Sequence, residues 1–321
     1  MKFDVITIGS ALLDIYQKSD EFKKIPSGQF EGGVALCGTY GGKTEIDDVV
    51  LTTGGGGTNT AVSFARKGIV TAIICELGTD LIAATIKKEL LDEKVNLDLI
   101  IEEPDEKTGL SSIMVAPDGG RAAHIYRGAS RMITVKDIIF DKLDTDWLYI
   151  ASIGGQLELL TSLFDHASQK NINIAWNPGQ SEIEALRDLP DQKQKLLSQT
   201  TVIIVNRQEA EALTGIKFSD ATVWQSDHCI IGPQTTLITD GDNGGKVCHG
   251  GSCSFWQAGS TTKAIEKTGA GDAFGSGFVS ALILGHDTNT AVDWGNRQAG
   301  KVVQFMGPKQ GLMTLEEIQS A

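Results

Sequence analysis

Short runs of apolar, β-branched residues alternate along this chain with segments whose apolar residues recur at helical spacing. Residues 4–8, 71–75, 147–150, 172–176, 202–205 and 236–238 read as strands, and 59–67, 81–89, 157–169 and 273–284 as helices. A continuous apolar run marks a strand covered on both faces, and a helix between successive strands is the crossover that parallel pairing requires. The chain therefore predicts an α/β fold, a central and mostly parallel sheet flanked by helices. With 321 residues and 41% hydrophobic content, residues 1–321 can bury the core of one large domain.

Two segments break the alternation. Residues 16–51 are rich in glycine, and 108–128 read as two strands about the turn Pro117, Asp118, Gly119 and Gly120. Neither carries a helical pattern, so together they predict a small β-sheet lid formed by about 15–51 and 108–128. No internal repeat is present.

Charge and cysteine usage exclude several classes. Lys plus Arg number 28 against 41 Asp plus Glu, a net charge of -13, which gives a nucleic-acid backbone no general attraction. The first apolar run is interrupted by Asp4 and Asp14 and resembles a buried strand more than a signal peptide. No run of 18 apolar residues follows, so no membrane partner is expected. Five scattered cysteines (Cys37, Cys75, Cys229, Cys248 and Cys253) in a long chain predict reduced thiols and a cytoplasmic setting. Cys248 and Cys253 read as small buried residues on a strand pair rather than as zinc ligands with His249.

The stretch EKTGAGDAFGSGF, residues 266–278, sets Asp272 among glycine and alanine where a helix should begin, at about Gly271 or Asp272. First-turn amides lack intrahelical partners and the helix dipole is positive there, so Gly269, Ala270 and Gly271 can form an anion hole. An aspartate beside it can accept a proton from a hydroxyl attacking a phosphoryl group. Taken alone, Asp272 reads first as a helix N-cap. Neither a dinucleotide fingerprint after the first strand nor a Walker A ending of GGGGTNTA is present.

Other motifs accompany it. Gly54, Gly55, Gly56 and Gly57 precede a helix expected from near Asn59, predicting a flexible joint beside a polar anchor. VIIVNRQE ends a strand at Asn206 and places Glu209 on the same helix face, either to hold metal-bound water or to close a capping box. TTLITDGDNGGKV, residues 235–247, supplies a strand and a glycine turn suited to a nucleotide or to any hairpin.

In this order, the motifs resemble those of the ribokinase-like, or PfkB, carbohydrate kinases, over nearly the whole chain. That resemblance implies an α/β body with a β lid and transfer of the ATP γ-phosphoryl group to a hydroxyl of a sugar or sugar-like substrate, with Mg2+. It implies Asp272 as general base and Gly269, Ala270 and Gly271 as the anion hole. Asp14, Gly54, Gly55 and Asn59 resemble the substrate segment, and Asn206 and Glu209 the magnesium and phosphate motif, Glu209 acting through water. Thr239, Gly241 and Gly244 resemble the nucleotide turn, and Asn296 the adenine pocket.

Glu266 and Lys267 depart from the family's Asp-Thr pair, which binds a monovalent cation, so K+ activation is left open. Arg127, leaving the lid in AAHIYRGAS, can clamp a substrate carboxylate or phosphate, with Arg121 or Arg131 nearby, or can simply guard a lid edge. Alternatives are a sugar-phosphate kinase, an adenosine-type nucleoside kinase and a non-catalytic nucleotide- or sugar-binding regulator. Exposed lid edges also predict a homodimer through the lid.

Overall fold

Alternate residues of single strands feed opposite faces of the main sheet, as the period of two requires. The computed structural model describes residues 1–30, 32–118, 120–259 and 264–320. In chain order its strands are β1 Phe3–Ile8, β2 Leu12–Lys18, β3 Lys23–Pro26, β4 Val34–Cys37, β5 Asp48–Gly54, β6 Thr71–Ile74, β7 Glu76–Leu77, β8 Ile101–Glu102, β9 Gly109–Val115 and β10 Arg121–Tyr126. There follow β11 Thr145–Ile150, β12 Asn173–Trp176, β13 Val202–Asn206, β14 Thr235–Thr239, β15 Gly245–His249 and β16 Ser252–Trp256. The helices are α1 Gly56–Arg66, α2 Leu81–Asp92, α3 Leu157–Lys170, α4 Gln180–Ala185, α5 Pro190–Ser198, α6 Arg207–Thr214, α7 Ala221–Gln225, α8 Ala270–Ile283, α9 Thr288–Val302 and α10 Leu315–Ser320.

Eight strands form the main sheet in the order β16-β15-β14-β13-β12-β11-β1-β6. The strands from β6 to β14 are parallel, and β15 and β16 add on antiparallel. On β13, Ile203 and Val205 pack with α3, α5 and α6, whereas Val202 and Ile204 pack with α8 and α9. This is the doubly covered sheet that the apolar runs predict. Ligands in open α/β sheets bind beyond the carboxyl ends of the strands, and here that edge carries Gly9 after β1, Asn206 of β13 and Thr239 of β14.

A second sheet, β10-β9-β2-β5, joins residues of the two segments that break the alternation. It grows from the carboxyl edge of the main sheet, because β2 follows β1 after only Gly9, Ser10 and Ala11. The register sets Asp14 beside Ser111 on one neighbour and Thr52 on the other. β3 and β4 pair separately as a hairpin. The turn at 117–120 includes Gly119, outside the described residues; the flanking strands pair antiparallel as expected. No described helix is long and apolar enough to cross a membrane.

Two expectations need correction. Helix α1 starts at Gly56, not near Asn59, and its glycines are closely packed rather than a loose joint. A Cβ on Gly57 would lie 2.8 Å from the carbonyl of Gly9, and one on Gly56 2.8 Å from the Ala151 methyl, so the helix can approach the first strand only with glycine there. The second concerns the thiols. The β15–β16 register sets Cys248 directly opposite Cys253, and the two are joined in a disulfide. Opposed residues of an antiparallel pair put their Cβ atoms on one face at bonding separation. Cys37, Cys75 and Cys229 remain free, and the His249 ring is hydrogen-bonded to Thr235 Oγ1 at 2.8 Å.

Candidate active site

Two helix starts meet at the carboxyl edge. Gly269, in the left-handed region at φ 78°, ends the approach to α8, and a Cβ there would strike Pro308. Helix α8 therefore opens at Ala270, one residue before the range the sequence indicates. The Ala270 amide turns back to the Lys267 carbonyl at 3.3 Å, whereas the amides of Gly271 and Asp272 have no backbone acceptor among the described residues. These first-turn donors give the helix terminus its capacity for an anion. A Cβ on Gly271 would meet nothing within 4 Å, so no internal packing demands glycine at that position.

Asp272 projects from this turn and accepts a hydrogen bond from Asn59 Nδ2 of α1 at 2.8 Å. Its carboxylate is enclosed by protein although the residue opens partly onto a cleft. Burial pushes the carboxyl above the usual range, while Asn59 and the Lys309 ammonium pull it back. The other amide atom of Asn59, Oδ1, is buried and unpartnered, an unusual cost that a ligand donor would relieve.

Asp14 lies at the join of the two sheets and is 4% exposed. Burial raises its carboxyl to about 6, opposed by the Ser111 hydroxyl and the charge of Lys309. Gly54 explains its own identity here, since a Cβ would occupy the position of the Asp14 carboxylate. Gly55 adopts φ 99° and packs against the Ser10 carbonyl. The substrate residues predicted from sequence, except Arg127, are thus brought together.

A cleft of about 340 Å³ lies beside the α8 terminus and is lined by Asn206, Thr239, Gly241, Gly244 and Asn296 together with Trp256 and Phe274. The Trp256 and Phe274 rings stack at 5.0 Å, and Asn296 pins the next segment by bonding Gln257 O at 3.1 Å and Gly259 N at 3.3 Å. A Cβ on Gly244, at φ 84°, would collide with the Trp256 carbonyl. An adjoining cleft of about 190 Å³ shares Asn206, Thr239 and Gly271 and adds Glu209, Asp272 and Asn177. Asn206 and Glu209 form the capping box, with both bonds at 2.8 Å, and Glu209 also faces the second cleft. Burial raises its carboxyl, against the hydrogen bonds from Asn206.

Arg127 is exposed and lines neither cleft. Arg121 makes the lid arginine's contact instead, an ion pair with the buried Glu266, which also accepts from the Thr268 amide at 2.7 Å and the Tyr16 hydroxyl at 3.4 Å. Lys267 pairs outward with Asp242 at 2.8 Å. Two residues escape the sequence reading. Asn177 is fixed by its bond to the Ile204 carbonyl at 2.7 Å. Lys309 is buried, bonded to Thr53 and 3.6 Å from Glu89; burial lowers its ammonium to about 8. Nothing in MGPKQG marks that lysine as internal.

A helix terminus with unpaired amides, a carboxylate beside it and a two-part cleft along the sheet edge is an arrangement suited to phosphoryl transfer. Comparison with known proteins agrees with that class. The model of the pfkB family carbohydrate kinases matches residues 2–315. Ribokinase of Staphylococcus aureus (strain COL) is 30% identical over 272 residues, covering 83% of this chain and 86% of its own. The solved apo form of a putative ribokinase II from E. coli superposes with a TM-score of 0.79 at 18% identity, covering 99% and 98% of the two chains. The nucleoside kinase of Methanocaldococcus jannaschii gives 0.77 at 20% identity, covering 99% and 98%. The chain belongs to the pfkB family of carbohydrate kinases and has the ribokinase-like fold. It is a phosphotransferase with an alcohol group as acceptor.

Proposed function

We propose that the chain transfers the γ-phosphoryl group of ATP to a hydroxyl of a pentose or a related sugar, with Asp272 as the base. The observation that carries this reading is the junction of the two helix starts: Asp272 is tied to Asn59 at 2.8 Å beside the unpaired amides of Gly271 and Asp272. A base and donors for the transferring group then share one point. ATP occupies the larger cleft, its base between Trp256 and Asn296 and its phosphates toward Gly271. The acceptor lies between Asp14 and Asn59 under the β10-β9-β2-β5 sheet, which acts as the lid. Asp14 accepts from sugar hydroxyls, and Asn59 Oδ1 gains the donor it lacks.

Asp272 takes the proton of the attacking hydroxyl as the phosphoryl group transfers, and its raised affinity for protons suits that role. The Gly271 and Asp272 amides stabilise charge on the group in flight. A magnesium ion would fit the hard oxygen donors here; Glu209 would hold it through water, and it would supply positive charge against the phosphates. Glu266 is already matched by Arg121, Tyr16 and Thr268, so we expect turnover without added potassium. The base assignment is tested by Asp272→Asn: kcat should fall about 10²- to 10⁴-fold with ATP affinity retained. Near-normal kcat would remove Asp272 from the role.

A further inference from the structure

Away from this site, the densest group of reactive side chains is sulfur. The Sγ atoms of Cys229, Cys248 and Cys253 lie within 4.8 Å of one another; Cys248 and Cys253 are bonded and Cys229 is a free thiol. Cys229 belongs to the connection between α7 and β14, and both strands of the β15–β16 hairpin hold that connection in place. From β15, the Lys246 ammonium donates to the carbonyls of Trp224 at 3.3 Å, Ser226, and His228 at 2.7 Å. From β16, the Cys253 amide donates to the Asp227 carboxylate at 3.3 Å. The third sulfur is thus presented to the disulfide by hydrogen bonds on two sides, with a cation beside the group.

A structural staple is a weak account of this disulfide. The bridged residues are only five apart, so the cross-link constrains the unfolded chain less than a bridge closing a longer loop would. Cys253 and Cys229 are partly exposed while Cys248 is buried, so thiols in solution have a way in. Disulfides that are exposed are the ones that exchange, and in reducing compartments surviving disulfides are usually of that kind.

We propose that Cys229, Cys248 and Cys253 form a thiol–disulfide exchange site whose ligands are small thiols and their disulfides. In the internal step the Cys229 thiolate attacks Cys253 Sγ. The Cys248–Cys253 bond breaks, the Cys229–Cys253 bond forms, and the electron pair leaves on Cys248, which takes up the proton lost by Cys229. No net oxidation occurs. In the external step a small thiolate attacks Cys253 and Cys248 leaves as thiolate; Cys229 then displaces the small thiol from the mixed disulfide. Exchange moves the cross-link from between the strands to between the connection and β16. That strand ends in Trp256, a wall of the larger cleft.

The full-length protein is incubated in a buffer of reduced and oxidised glutathione, alkylated in denaturant and mapped by non-reducing peptide mass spectrometry. Wild type should yield both Cys248–Cys253 and Cys229–Cys253 peptides, with a matching loss of alkylation at Cys229. Cys248→Ser should yield Cys229–Cys253 alone, and Cys229→Ser should lose the second cross-link. Complete alkylation of Cys229 in wild type, or glutathione remaining on Cys253 with Cys229 free, overturns the proposal. So does protein purified with a metal ion on three free thiols.

Discussion

Replacing Asp14 with asparagine should make the protein more stable and a worse kinase. Burial raises the Asp14 carboxyl from 3.8 to about 6, so at pH 7 the fold holds a charge whose burial costs it stability. At about 1.4 kcal/mol per pH unit, that rise makes ionised Asp14 cost the folded state about 3 kcal/mol. The sign follows from the direction of the rise: the stability is fully present below about pH 3, where the carboxyl is neutral in both states, and is lost as pH climbs from there through 6. Asp14→Asn keeps the side-chain shape without the charge. Its gain, up to about 3 kcal/mol, should therefore appear in urea unfolding at pH 7.5 and shrink away toward about pH 3. The same change removes a charged acceptor for sugar hydroxyls, so KM for the acceptor should rise by about tenfold to a hundredfold, a hydrogen bond to a charged group being worth about 1.5–3 kcal/mol. Loss of stability at pH 7.5, or an unchanged KM, would refute the reasoning, since the first denies the burial cost and the second the contact.

Other outcomes follow from the same geometry. Gly271→Ala should fold and melt like wild type, because a Cβ there meets nothing, yet bind ATP more weakly by isothermal titration; unchanged affinity would take phosphate away from that terminus. Gly54→Ala should instead displace the Asp14 carboxylate and raise acceptor KM while leaving ATP affinity alone. Arg121→Ala leaves buried Glu266 without its cation and should cost about 1–3 kcal/mol in denaturant unfolding, partly recovered by adding potassium; wild type should gain nothing from potassium. The exposed Val49 and Leu51 of β5 and Ile125 and Tyr126 of β10 should support self-association in sedimentation velocity, and Leu51→Glu with Ile125→Glu should reduce it.

The six parallel strands of the main sheet were legible because each is an apolar run too continuous for a surface helix, whereas β15 and β16 carry no such run; every expected helix is present. Boundaries were less so. Helix α1 begins earlier than expected because glycine at 56 and 57 serves a close approach to β1, a tertiary demand that local propensity does not carry. Gly269, Ala270, Gly271, Asp272, Asn206 and Glu209 were readable as candidates because each group lies contiguous at a helix start, where local spacing alone fixes the geometry. Asn177 and Lys309 were not, since each reaches its place only through long-range packing. The Cys248–Cys253 pair was hidden for a related reason: five residues of separation become adjacency only once the hairpin register is known. Arg121 opens β10 and Arg127 follows its end, six residues on, and the pattern alone could not choose which would face the buried Glu266.

The most direct test of the central claim is acceptor-dependent release of ADP from Mg-ATP by the purified protein, across pentoses, hexoses, sugar acids, sugar phosphates and nucleosides, with Asp272→Asn in parallel. The account predicts ADP release by wild type with at least one pentose or related sugar, little without acceptor, and almost none from the variant. Equal release with and without every acceptor, or full activity in the variant, would contradict it.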